Sequence, residues 1–327
     1  MLHSFNLSGV KDSFSDLISN ISPDDTYVVS NSKKEGTPGT IFKWQTDSLD
    51  SVVYDGSKFV AIKEGSTTDT STEIIKVKGT VEKTGNTQIF KTAFAISDSA
   101  LSSSVHGRKG ELELQIMKAG KELKNIMETS FLSDQTSVKA ASGVAPVTDG
   151  LLAQIAPVDT DNPDMPDPTT IGLTAGAFTV HKSGTIDFDT LDSICVALYR
   201  NGSKANVILT NPFNSSDVNS AIDEADSKKV RQRLKFKEDD SIKLEMNTFT
   251  DSLGRVWDVI YDRFAPTSVV YFLDSESITQ RVLREPVASQ MGKTGSFETW
   301  QLIIESGLQV AHPYANGALE ITTTTTP

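Results

Sequence analysis

Few side chains in this 327-residue sequence could be built into chemistry: four histidines, one cysteine and scattered carboxylates. His3, His106, His181 and His312 stand far apart, and Cys195 has no partner cysteine. A soft-ligand zinc site needs several thiolates and imidazoles at short spacing, so none is predicted. A lone thiol becomes a nucleophile in an electropositive, partly exposed setting. Cys195 instead falls on the apolar stripe Phe188, Leu191, Ile194 and Leu198, and is read as buried and inert. Asp159, Asp161, Asp164 and Asp167 alternate like calcium ligands, but Pro163 and Pro166 interrupt them. The glycine and closing glutamate of a calcium loop are also missing, so this stretch is read as a solvated acidic loop. Gly292-Lys293-Thr294 has the end of a phosphate-binding loop without its leading glycine. Lys228–Lys237 carries six basic residues and no acid. Asp223, Glu224 and Asp226 before it, and Glu238, Asp239 and Asp240 after it, favour pairing within the fold or between subunits over phosphate contact. No catalytic constellation survives, so the sequence predicts no enzyme, no cofactor and no metal.

Composition narrows the classes further. Lys and Arg number 31 against 43 Asp and Glu, a net charge of −12, which makes the chain a poor candidate for a dedicated nucleic-acid binder. One cysteine excludes an intramolecular disulfide framework. The first residues lack a basic head followed by an apolar stretch, so no standard secretion signal is read. No apolar run approaches the roughly 20 residues that span a bilayer. The expectation is a soluble chain with no membrane partner. Its length exceeds what one apolar core usually serves, so two or more domains are expected.

The elements that would position these residues are uneven in self-sufficiency. Residues 1–40 are polar, broken by the patches Phe14, Leu17, Ile18, Ile21 and Tyr27, Val28, Val29; such an arm must lie on something else. Ser51–Tyr54 and Phe59–Ile62 flank Asp55-Gly56, a hairpin signal, and Glu73–Lys78 returns as a strand after the apolar-free stretch 64–72. A two-stranded ribbon of this kind is marginal in water unless a neighbour covers it. Leu112, Ile116, Ala119, Leu123 and Ile126 recur at helical spacing and predict a long helix over 107–129. Its pairs Lys118–Glu122 and Lys124–Glu128 are worth about 0.2–0.5 kcal/mol each. Gly120 is read as a close approach by another backbone. Residues 186–275 read as an α/β unit. Helices are predicted over 186–200 and from Pro212 to about Ala225, and strands over 206–210, 241–250, 255–261 and 268–273, with a hairpin at Asp251–Gly254. A long strand is expected at 298–311, and residues 322–326 form a low-complexity tail.

An arm, a ribbon and a long helix that cannot satisfy themselves describe a subunit completed by neighbours. Within that frame Asn86–Phe90 leads into Thr92–Ser97, and Gly107–Leu112 opens the helix that continues Gln115–Lys124. Asp262-Arg263-Phe264, Leu273-Asp274, Arg284-Glu285-Pro286, Gly292–Gly295, Gln301–Glu305 and Leu308–Val310 follow in order. Together these resemble the major head protein family of tailed phages with the Hong Kong 97-type fold, over roughly residues 5–321. The resemblance implies an α+β fold and a subunit that self-assembles into an icosahedral head shell around double-stranded DNA. It implies an N-terminal arm at 1–40, an extended loop at 41–80 and a peripheral domain at 81–169 with the spine helix 107–129. An axial domain at 170–275 and a return to the peripheral domain with the tail at 276–327 complete it. The acidic loop 156–168 reads as a local elaboration.

The implied partners are other copies of the chain, in hexameric and pentameric capsomers, with packaged DNA touched non-specifically on the inner face. Portal, scaffolding and decoration proteins are further implied partners. The implied location is the virion capsid, after assembly in the host cytoplasm. Inter-subunit contacts are expected at Phe14, Leu17, Tyr27, Lys58, Lys63, Glu64 and Glu73. An encapsulin-like compartment shell of the same fold, and an unrecognised carboxylate hydrolase, are the alternatives.

Overall fold

The computed structural model describes residues 26–46, 64, 80–103, 110–155, 180–227, 248–293 and 295–321. In chain order the first half gives α1 (Val28–Asn31), β1 (Lys33–Gly36), β2 (Ile41–Thr46), β3 (Val81–Asn86), β4 (Gln88–Ser97), α2 (Asp98–Ser102), α3 (Glu111–Phe131) and α4 (Leu151–Ile155). The second half gives β5 (Val180–Ser183), α5 (Phe188–Arg200), β6 (Val207–Thr210), α6 (Ser215–Ser227), β7 (Thr248–Thr250) and β8 (Val256–Tyr261). It ends with β9 (Val269–Leu273), β10 (Ile278–Gln290), β11 (Phe297–Val310) and β12 (Gly317–Ile321). No helix among the described residues is long and apolar enough to cross a membrane.

Three sheets result. One has the order β1-β10-β11-β4, with β1 parallel to β10 and the other pairs antiparallel. A second has the order β5-β12-β9-β6-β8-β7, and β2 pairs with β3 as a separate ribbon. The spine helix α3 lies across β4 and β11. Ala119, Leu123, Met127 and Phe131, spaced by four, are its buried stripe, and Phe131 meets Phe90 of β4 edge-on at 5.9 Å. Glu111 and Glu113 sit in its first turn, where a carboxylate complements the helix dipole.

Period-two alternation explains the six-stranded sheet. In β9, Val269, Tyr271 and Leu273 face one apolar core while Val270 and Phe272 face another. In β6, Val207 and Leu209 divide from Ile208 in the same way. The second core is roofed by α5 and α6. The first is the core that α3 and the four-stranded sheet also line, and the Tyr271 hydroxyl donates to Leu132 O at 2.6 Å across it. The described residues therefore form two cores that share one sheet. Helix α5 starts where Asp187 accepts from Thr190 N at 2.9 Å and Thr190 Oγ1 accepts from Asp187 N, a reciprocal cap. It stops at Asn201-Gly202, with Gly202 at φ 76°.

Several expectations need correction. Strand β10 was not read from the sequence; Arg284, Glu285 and Pro286 obscure it, and the structure accommodates them at register shifts between Val282 and Val287. The final strand does not stay in the peripheral part that 276–327 was expected to form. Strand β12 pairs with β9 and β5 in the six-stranded sheet. Gly120 hides no close backbone: a Cβ there would meet only the Leu302 side chain, at 3.9 Å. Glu128 does not pair with Lys124 at the surface, because its carboxylate is fully buried. The acidic loop, the basic run 228–237 and the hairpin 51–62 lie outside the described residues.

Candidate inter-subunit surface

Of the residues expected at contacts, Phe14, Leu17, Lys58, Lys63 and Glu73 lie outside the described residues. Glu64 is exposed. Tyr27 turns toward its own subunit: it packs half-buried against the large core, with its hydroxyl 3.4 Å from Ser275 Oγ. Of these candidates only Tyr27 and Glu64 are described, and Tyr27 is turned into its own subunit. The structure does show how the arm and the ribbon are rooted.

At the arm root, Val28 and Val29 enter the large core. Their N–H groups, free because they open α1, donate to Glu128 Oε1 at 2.6 Å and Oε2 at 2.7 Å. Burial, more than these bonds can offset, pushes the Glu128 carboxyl up to about 8, and the neighbouring Asp262 adds to the shift. The helical period carries no signal for this: on a wheel Glu128 falls about 60° beyond Phe131 and about 180° from Ala119, outside the apolar stripe.

At the ribbon root, Phe42 of β2 is buried and stacks on Trp44 with ring centroids 5.8 Å apart. It lies against Gly307 of β11, where an added Cβ would come within 2.6 Å of the ring and 2.7 Å of Asn86 O. Gly307 is therefore required by contact, and a lone glycine inside an apolar strand was its sequence signal. Lys83, opposite Trp44, is buried, and burial pushes its ammonium down to about 8.

Beyond these roots, apolar side chains stand in solvent on well-formed elements. Phe213, just before α6, is 85% exposed, Val287 of β10 61%, and Met117 of α3 58%. Tyr199, Leu253, Val256, Ile126 and Phe297 are also exposed. Single exposed hydrophobes are ordinary, but here they recur on rigid strands and helices, the profile of surface that a partner covers.

The remaining chemical candidates are structural. Cys195 is buried, and burial drives its thiol far above the usual range. The carbonyl of Cys195 accepts from Arg255, whose Nε also pairs with buried Asp251 at 2.9 Å. Lys293 pairs with Asp98 at 2.7 Å in a connection between strands, where no helix follows to receive a phosphate. No cluster of metal-ligating side chains occurs among the described residues.

Comparison with known proteins places this architecture. A family model described as "SU10 major capsid protein" matches residues 2–323. The major capsid protein of Escherichia phage Phieco32 is 33% identical over 346 residues, covering 97% of this chain and 95% of that protein. Among solved structures, the capsid of a native GTA particle superposes with a TM-score of 0.61 at 13% identity, covering 98% of this chain and 97% of the other. A Mycobacterium phage Adephagia chain gives 0.55 at 11% identity, covering 95% and 94%. The SrpI encapsulin of Synechococcus elongatus PCC 7942 gives 0.53 at 12% identity, covering 97% and 94%. The fold is thus the Hong Kong 97-type α+β fold expected from the sequence, and the function is structural rather than enzymatic. With nearly its whole length matched and a phage relative at 33% identity, the chain belongs to the SU10 major capsid protein family of phages.

Proposed function

We propose that this capsid protein assembles with copies of itself into hexameric and pentameric capsomers, and these into an icosahedral head shell around double-stranded DNA. The observation that carries this is the exposure of Phe213, Val287 and Met117 on well-formed elements, since the described residues of one subunit leave each more than half exposed. In this reading residues 1–40 are the arm, 41–80 the extended loop and 170–275 the axial domain. Phe14, Leu17, Lys58, Lys63, Glu64 and Glu73 are the contacts that the arm and loop bring to neighbours. A net charge of −12 argues that DNA is held by enclosure rather than by affinity. Assembly takes place in the host cytoplasm, with portal, scaffolding and decoration proteins as further partners. The test is electron microscopy of the purified full chain, alone and with its scaffolding protein. Closed shells or capsomers are expected; a monomer under both conditions at high concentration overturns the reading.

A further inference from the structure

The ribbon root holds two donors and no acceptor. Trp44 of β2 and Lys83 of β3 stand directly opposite each other in the antiparallel register, on the same ribbon face as Phe42. Side chains so placed have Cβ atoms about 4.5–5.5 Å apart. Lys83 is 8% exposed, and the Trp44 indole N–H is buried without an acceptor among the described residues. No carboxylate among those residues pairs with the Lys83 ammonium. The acids of the surrounding elements are committed elsewhere. Glu82 pairs with Lys43 at 2.5 Å on the other face of the ribbon. Glu305 accepts from Thr87 at 3.0 Å and pairs with Arg284 at 2.9 Å. Glu35 pairs with Arg281, and Asp274 accepts from Glu276 N at 3.1 Å. A buried charge with no partner costs stability, and a carboxylate that arrives with good geometry offsets that cost.

We propose that Lys83 and Trp44 form a socket that receives an Asp or Glu carboxylate from a second copy of this chain when the shell forms. The inference rests on the self-assembly proposed above and gives the ribbon root its part in it.

Chemistry selects this occupant. A carboxylate has two acceptor oxygens, one for the ammonium and one for the indole N–H. The chain carries 43 acidic against 31 basic residues, so each copy offers its neighbours carboxylates in excess. A DNA phosphate fits less well, because phosphates are held by clustered cations. Lys43, on the opposite face of the ribbon, is already paired. His312, close enough to register the Lys83 charge, is held below the usual imidazole range mainly by burial and is uncharged at neutral pH. Phe42, seated against Gly307, fixes this face of the ribbon, so the socket stands formed before a partner arrives.

The experiment is carbodiimide coupling, which joins an amine to a carboxylate in contact with it. Shells are assembled at neutral pH without nucleic acid, from equal parts of ¹⁵N-labelled and unlabelled full chain, and linked peptides are read by mass. Lys83 is expected in an amide with an acidic residue, with mixed-label pairs as frequent as same-label pairs, and no such amide is expected in unassembled chains. Shells without the amide, an amide in same-label pairs only, or the same amide in unassembled chains overturns the socket alone. If wild type forms no shells, the self-assembly reading falls and the socket falls with it. Melting supplies an independent sign. Lys83→Met keeps the apolar stem and removes the charge, so the unassembled chain is expected to melt about 2–4 °C higher and the shell lower, or not to form. A Lys83→Met shell that melts at or above wild type, or an unassembled chain that melts lower, overturns the socket. Lys43→Met, on the other face, is expected to leave both melts within about 1 °C of wild type, and a Lys43→Met shell that weakens as much as the Lys83→Met shell overturns the assignment to this face.

Discussion

The central strands of the six-stranded sheet are finished within the subunit, whereas the outer half of the four-stranded sheet is not. Every residue of β6 and β9 is buried, because apolar groups cover both faces. Strand β10 begins buried at Ile278 and runs out to an exposed stretch at Arg284–Val287, and β11 is its mirror, open at Phe297 and closed from Ile304 to Val310. One sheet is a core element that happens to be pleated. The other is half core and half offered surface. A subunit of this kind separates the contacts that make it fold from those that make it assemble, and this separation can be tested by substitution.

The largest effect on the isolated subunit is expected at Trp257, fully buried against Phe272 at 5.7 Å with its Nε1 donating to Asp251 at 3.3 Å. Trp257→Ala should cost about 4 kcal/mol in a denaturant titration. A loss under about 1 kcal/mol would mean the six-stranded sheet is not self-sufficient. Leu123→Ala, in the core that both large sheets line, should cost about 3 kcal/mol. A cost near zero would detach the spine helix from that core. Gly120→Ala should raise stability by about 0.5–1 kcal/mol, since the site has room for the methyl group and glycine weakens a helix interior. A destabilised Gly120→Ala would restore the close-backbone reading. The smallest effect is expected at Val287→Asp: within about 0.5 kcal/mol on the subunit, with shell formation lost when followed by electron microscopy. A subunit that melts well below wild type would show that the outer half of β10 is packed internally and would collapse the contrast.

The spine helix was legible because its stripe is long and periodic; the reading 107–129 meets the observed 111–131. The α/β unit was legible for the same reason, through Phe188–Leu198 and the apolar runs at 207–210 and 269–273. Strand β10 was not, because its outer half faces solvent and reads as polar loop, with a proline in it. Strand β12 was too short to reveal which sheet it joins, a matter settled by pairing with residues more than forty positions away. Glu128 misleads because its spacing from Lys124 and its position outside the apolar stripe both satisfy a surface rule, while the amides it serves are a hundred residues distant. Helix-period patterns report the face an element turns inward. They do not report which distant backbone will need an acceptor.

The sheet shared between two cores has a mechanical consequence. Apolar packing continues without a break from the arm root, through the 21-residue spine helix, to the helices beyond the six-stranded sheet. Close-packed interiors compress little and transmit strain. The subunit body therefore behaves as a stiff lever, with a helix about 31 Å long as its beam. Changes in shell curvature then fall on the joints between subunits rather than on flexing within one.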